Sequence, residues 1–232
     1  MALKEDLEEA VSKIFREIWT ERNGQDVPLP ENLKLGNDAV KLDATVLYAD
    51  MSDSTKLVDS YKPQFAAEIY KAYLTCAAKI VKSEGGNIAA YDGDRIMAVF
   101  IGDSKNTTAA KTALKLNGAV LNIINPALIQ QYPKTLYRVK HVVGVDTSSI
   151  LAARIGVRND NDLVWVGRAA NYAAKLCAIN EENTVFITGE VFDLVNGSSK
   201  YGGRNNKLMW EERQWSQRNS MRIFSSIWTG GV

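Results

Sequence analysis

Residues 88–100 read Ile88-Ala-Ala-Tyr91-Asp92-Gly93-Asp94-Arg95-Ile-Met-Ala-Val-Phe100. Two β-rich runs, Ile88 to Tyr91 and Arg95 to Phe100, flank the dipeptide Asp92-Gly93. Glycine there accepts the positive φ that a tight hairpin turn demands, so the stretch predicts two antiparallel strands. Upstream, Ala44 to Ala49 is another short β-rich run that ends at Asp50, followed by the polar turn Met51 to Thr55. Phe65, Ile69, Tyr73, Cys76 and Ile80 then recur at helical spacing until Gly85-Gly86 stops them. Downstream, the pattern predicts a helix from Ser104 to Asn125, ending before Pro126, and strands over Leu136–Val145, Ile150–Ile155 and Leu163–Val166. A helix over Arg168–Ile179, a strand over Thr184–Thr188 and a short helix over Glu190–Asn196 follow. Helices interleaved with hairpin pairs imply an α+β fold: an antiparallel-rich sheet with helices packed on one face.

The two ends read differently. Leu3, Leu7, Ala10, Val11, Ile14, Phe15 and Ile18 mark an amphipathic N-terminal helix, with a polar connector from Gln25 to Asn37. Its apolar stripe needs a partner, either its own domain or a second subunit. The chain thus divides into a helix and connector (1–40), a main domain (41–197) and a tail completing it (198–232). Three tryptophans in the tail, Trp210, Trp215 and Trp228, fit a last strand or hairpin packed on the sheet. A composition of 46% hydrophobic and 24% charged residues is that of an ordinary globular protein. The net charge of +1 gives no electrostatic case for nucleic acid or an anionic membrane. No apolar run is long enough to span a bilayer and the N-terminus lacks a signal-peptide core, so we expect a cytoplasmic protein. Cys76 and Cys177 read as buried free thiols, and His141, the single histidine, as a packed residue.

Asp50, at the end of a strand, could hold a hard divalent cation or simply cap the next helix. Asp94, just past the hairpin dipeptide, changes that balance: two carboxylates brought to one spot are costly unless a cation lies between them. Asn171 and Lys175 lie one helical turn apart and share a face, suited to a ribose and a phosphate or to a solvated polar stripe.

In chain order, four segments resemble the class III nucleotidyl (adenylate/guanylate) cyclases. They are Tyr48-Ala-Asp50-Met-Ser-Asp-Ser-Thr55, Gly93-Asp94 with Ala98-Val-Phe100, Gly144-Val-Asp146-Thr147 with Ile150 to Gly156, and Trp165-Val-Gly167 through Asn171 to Lys175. The resemblance implies the class III cyclase homology domain, with a ferredoxin-like antiparallel-rich sheet and packed helices. It also implies a homodimer with shared active sites and two Mg2+ or Mn2+ ions on Asp50, Asp94 and the Met51 carbonyl. Asn171 would orient the ribose. Lys175 stands where the family has arginine, losing the bidentate fork, and Arg168 is a candidate to compensate. The family's purine readers are missing, since Ala90 and Val164 occupy their places. The pattern is most similar to the bacterial pyrimidine cyclases of the Pycsar antiphage systems, whose product is read by a separate cyclic-nucleotide effector. Tyr48 and Arg95 are the candidate base contacts. UTP is favoured, with CTP second, because arginine only donates hydrogen bonds and suits a carbonyl better than an amino group. A purine cyclase or a non-catalytic nucleotide-binding module is the alternative. Lys207, Arg213 and Arg222 are candidates for the triphosphate.

Overall fold

The computed structural model describes residues 2–232. In chain order the elements are α1 (Leu3–Arg16), β1 (Thr20–Asn23), β2 (Asp38–Met51), α2 (Ser54–Ser60), α3 (Pro63–Ser83), β3 (Asn87–Asp92), β4 (Arg95–Phe100) and α4 (Lys105–Ala119). There follow α5 (Asn125–Gln131), β5 (His141–Val157), β6 (Asp160–Gly167), α6 (Arg168–Leu176), β7 (Thr184–Thr188), α7 (Gly189–Leu194) and α8 (Gly197–Lys200). The last are β8 (Tyr201–Gly202), β9 (Lys207–Leu208), β10 (Glu211–Trp215) and β11 (Met221–Ser226).

Two long antiparallel strands organise the molecule. β2 and β5 pair from Ala39↔Ala153 to Met51↔His141, and the main sheet runs β10-β11-β7-β5-β2-β4-β3. Beyond it, the start of β2 takes β1 in parallel, and the distal half of β5 turns back through β6 as a two-stranded arm. The pairing is antiparallel except for β1–β2 and β5–β7.

Side chains of β2 alternate between two cores, as the pleat dictates. Leu47, Ala49 and Met51 join α3 and α4 in the larger one. Ala44 and Val46, with Met97 and Val99 of β4, meet Ala169, Ala170 and Ala173 of α6 on the opposite face. The helices therefore cover both faces, not one as the sequence pattern suggested. The cause is local: alanines on its inner face let α6 lie close on the strands. A Cβ at Gly144 would stand 2.2 Å from the Ala173 carbonyl oxygen, so only glycine permits this approach.

Other expectations need revision. The connector carries β1 and a short 3-10 turn at Pro30–Asn32, and Leu33 is buried. Leu136 to Lys140 is not strand, and β5 runs unbroken from His141 through Ser148-Ser149. Ser148 faces outward and its hydroxyl accepts from the Ala169 amide at 2.9 Å, so a polar pair that read as a break caps α6 instead. The helix after β4 does not end before Pro126. A π-turn over Val120–Ile124 joins α4 to α5, and Pro126 sits in the first turn of α5. The wider π-turn that precedes it accommodates the proline ring within the continuing helix. The tail follows expectation: β10 and β11 form a hairpin paired with β7, with Trp210 and Trp215 buried. Cys76 and Cys177 are free. Among the described residues no helix is long and apolar enough to cross a membrane.

Candidate active site

Strand pleating brings Tyr48 and Asp50 to one face of β2, while β4 sets Arg95 opposite Asp50 and Met97 opposite Tyr48. The hairpin closes at the pair Asp92↔Arg95, so the two turn residues are Gly93 and Asp94, one position later than the sequence dipeptide suggested. Gly93 takes φ +60°. This tight turn holds Asp94 next to the end of β2.

Arg95 ties the groups together. Its Nη2 lies 3.1 Å from Asp92 Oδ2 and its Nε 3.9 Å from Asp50 Oδ2. Its guanidinium carbon stands 6.0 Å from the Tyr48 ring centroid, within cation–π reach. Tyr48, Ala90, Asp92, Arg95 and Met97 line a cavity of about 250 Å3. Asp92 was missed by sequence reasoning. The available signal was its spacing of two from Ala90 on β3, which puts both on one face.

The two carboxylates bear the mark of a cation site. Burial, then the charge of Asp94, pushes the Asp50 carboxyl up to about 6, with Arg95 only partly offsetting them. Asp94 Oδ2 is buried and has no hydrogen-bond partner among the described residues. An orphaned carboxylate oxygen beside a second, reluctantly ionised carboxylate fits a hard divalent cation. Among the described residues no cluster of three or more His, Cys, Asp or Glu side chains forms. The remaining ligands would thus come from backbone and substrate. Met51 can contribute only main chain, because its side chain is buried in the larger core.

α6 carries the other candidates on its outer side. Ala169, Ala170, Ala173 and Leu176 are buried against the sheet, whereas Asn171 and Lys175 are exposed and face away from it. The structure therefore does not bring them to Asp50 of the same chain. Arg168 is engaged elsewhere. Its Nε donates to Asp146 Oδ2 at 3.0 Å, its Nη2 donates to the Thr147 carbonyl at 2.5 Å, and it also pairs with Glu190. Asp146 is fully buried and also accepts from Thr188 Oγ1 at 2.6 Å. This network fixes the first turn of α6 to β5. Only the acid in Gly144-Val-Asp146-Thr147 hinted at it.

Of the C-terminal cations, Arg213 is bound to Glu181 at 2.6 Å and Glu211 at 3.1 Å, and Arg222 is paired with Asp193. Lys207 is exposed on β9. A different basic group, Lys56, Arg138 and Lys140, lines a cavity of about 330 Å3 beside Ser52 and Asp53, with Lys140 also paired with Glu182 at 2.5 Å. His141 is buried, with Nδ1 3.2 Å from Tyr73 Oη and Nε2 3.3 Å from Asn117 Oδ1, and it lies in the core.

The chain belongs to the class III nucleotidyl cyclases: residues 39–215 match the family described as adenylate and guanylate cyclase catalytic domain. It is 48% identical over 230 residues to a Burkholderia cepacia protein named uridylate cyclase, covering 98% of each chain. A Xanthomonas perforans protein of the same name is 46% identical over 229 residues, again covering 98% of each. Among solved structures, the adenylyl cyclase CyaB from P. aeruginosa shares the fold with a TM-score of 0.67 at 18% identity, covering 81% of this chain and 95% of that one.

Proposed function

We propose that this protein converts UTP to 3′,5′-cyclic UMP and pyrophosphate, as a homodimer whose two sites are each shared between subunits. The observation that carries the reading is the cavity beside Asp50, where Ala90 leaves room and Tyr48, Asp92 and Arg95 supply the polar edge. Full-length similarity to two proteins named uridylate cyclase supports it.

Asp50 and Asp94, with the Met51 carbonyl, would hold two Mg2+ or Mn2+ ions. Such ions supply charge neutralisation at the attacking 3′-oxygen and at the departing pyrophosphate. The chain's own groups position the reactants. Tyr48 packs along the base, and Arg95 donates to a uracil carbonyl. Lys56, Arg138 and Lys140 receive the polyphosphate. Asn171 of a second copy orients the ribose, and Lys175 of that copy offsets the charge developing at phosphorus. Arg168 serves by holding α6 in place. On the resemblance to the Pycsar cyclases we further propose a cytoplasmic enzyme that signals phage infection to a separate cyclic-nucleotide effector.

Incubation of the purified protein with equal concentrations of ATP, GTP, CTP and UTP and Mn2+ tests base choice and activity together. Cyclic UMP should dominate, with cyclic CMP second. A dominant cyclic purine nucleotide, or no cyclic product at all, overturns the proposal.

A further inference from the structure

Across β2, β4 and β3 the side chains of the candidate site stand in two rungs. Tyr48 pairs with Met97 and Met97 with Ala90, while Asp50 pairs with Arg95 and Arg95 with Asp92. Residues two apart on a strand share a face, so both rungs look the same way. The second rung reads carboxylate, guanidinium, carboxylate, and its two acids are not equivalent. Asp50 feels the charge of Asp94 more than that of Asp92. Asp92 does not join those two in a cation cluster, since among the described residues no group of three or more His, Cys, Asp or Glu side chains forms. Instead it stands on the far side of Arg95, two strand spacings or about 10 Å from Asp50. A ribose with its base can span that gap, with the reacting oxygens at the Asp50 end and the edge of the base at the Asp92 end.

Asp92 is held in place without being used up. Its Oδ2 accepts from Arg95 Nη2 at 3.1 Å, and its side chain is 77% exposed. A carboxylate has a second oxygen and donates nothing. Arg95 directs Nη2 at Asp92 and Nε towards Asp50 at 3.9 Å, so its Nη1 can donate to a carbonyl. Among Tyr48, Ala90, Asp92, Arg95 and Met97, which line the cavity, Asp92 is therefore the one strong acceptor that cannot donate.

From this arrangement we infer that Asp92 sets the choice of uracil over cytosine, by accepting the hydrogen on N3 of the base while Arg95 donates to a neighbouring carbonyl. The inference rests on the pyrimidine-cyclase reading above and supplies what Arg95 alone does not. Both bases carry a carbonyl at C2, so a donor by itself can be satisfied by either. Position 3 is where they differ in kind: uracil has an N–H between two carbonyls, and cytosine has a lone pair. A fixed carboxylate binds the first and repels the second, because an acceptor gains nothing from another acceptor and desolvates both. Whichever carbonyl of uracil Arg95 takes, the acceptor beside it meets the N–H. Cytosine can reach the same carboxylate only through its amino group, one ring position further along, and that shift carries the sugar away from Asp50 and Asp94.

Steady-state kinetics of the full-length protein with Mn2+ test this. Asp92→Asn should lower kcat/KM for UTP and move the UTP-to-CTP ratio of kcat/KM at least tenfold towards CTP, since an amide can accept from the N3 hydrogen or donate to the N3 lone pair. Wild type should use N3-methyl-UTP, which has no hydrogen at N3, at least tenfold less well than UTP. Asp92→Ala leaves room for the methyl group and should narrow that gap. An equal loss for UTP and CTP in Asp92→Asn would make Asp92 a support for Arg95 alone and overturn the inference. So would a wild type that uses N3-methyl-UTP as well as UTP, a result that needs no variant to fold. A wild type that prefers CTP keeps the pyrimidine reading and removes the role of Asp92. One that makes chiefly a cyclic purine nucleotide, or no cyclic product, removes the pyrimidine reading itself.

Discussion

Asp50 and Asp94 show how a single position records its task. Either carboxylate changed to Ala should lower product formation by at least about two orders of magnitude while leaving a folded protein, since each change removes a candidate ligand and no core group. A subtler outcome concerns the metal-free protein. Asp50 is pushed up to about 6, so the native state binds its proton more tightly than the unfolded chain. The resulting stability is fully present below about pH 4 and is lost as pH rises through about 6. Asp94→Asn removes one source of the strain and should stabilise the EDTA-treated protein at pH 7 by on the order of 1 kcal/mol. A melt showing no gain would contradict the crowding of the two carboxylates. His141 works the other way. Burial lowers its pKa to about 3, so only the unfolded chain takes up a proton between pH 6.5 and 3. Stability should therefore fall on acidification by about 1.4 kcal/mol per pH unit in that window. Urea titrations at several pH values on His141→Gln should show this acid limb flattened relative to wild type. An unchanged limb would place its origin elsewhere.

Among the elements, α6 is the part most sensitive to a small change. Gly144→Ala would drive a methyl group into the Ala173 carbonyl and lift the helix from β5. Overpacking of this kind costs about 1–3 kcal/mol. We expect a lower melting temperature and at least a tenfold loss of cyclase activity, read together by calorimetry and product assay. Retained activity would mean that α6 need not lie so close. The same helix marks what sequence could and could not convey. Its start at Arg168 and the strand at Thr184–Thr188 were legible because each has one strong local period or boundary. Its place on the second face was not, since alanines at 169, 170 and 173 look alike whether they face a strand or solvent. The unbroken β5 was hidden for a related reason: Ser148-Ser149 reads as a turn until its cross-strand partners are known. Pro126 read as a stop because the π-turn before it leaves no local signal.

At the scale of the whole molecule, the candidate site splits into a half that sequence reveals and a half that it does not. Tyr48, Asp50, Asp94 and Arg95 sit on two paired strands, so short-range pattern suffices to assemble them. Asn171 and Lys175 face away from those strands, and the proposed dimer assigns their partners to a second copy. Arg168 looked free for catalysis because Asp146 and Glu190 are each 22 residues distant in sequence. A complementation assay examines the division directly. Asp50→Ala and Asn171→Ala proteins should each be inactive, and their mixture should regain up to about a quarter of wild-type activity. Half of the molecules are then mixed dimers, and each mixed dimer holds one complete site. Demonstrated subunit exchange with no recovery would exclude the shared arrangement.

The outward aim of Asn171 and Lys175 also sets how the protein answers to its own abundance. In the shared-site dimer proposed above, a lone copy would carry two unfinished halves, so dilute enzyme would produce nucleotide in proportion to the square of its concentration. Halving its supply would then quarter the output, and a cell that keeps expression low would keep the messenger nearly silent without any inhibitor.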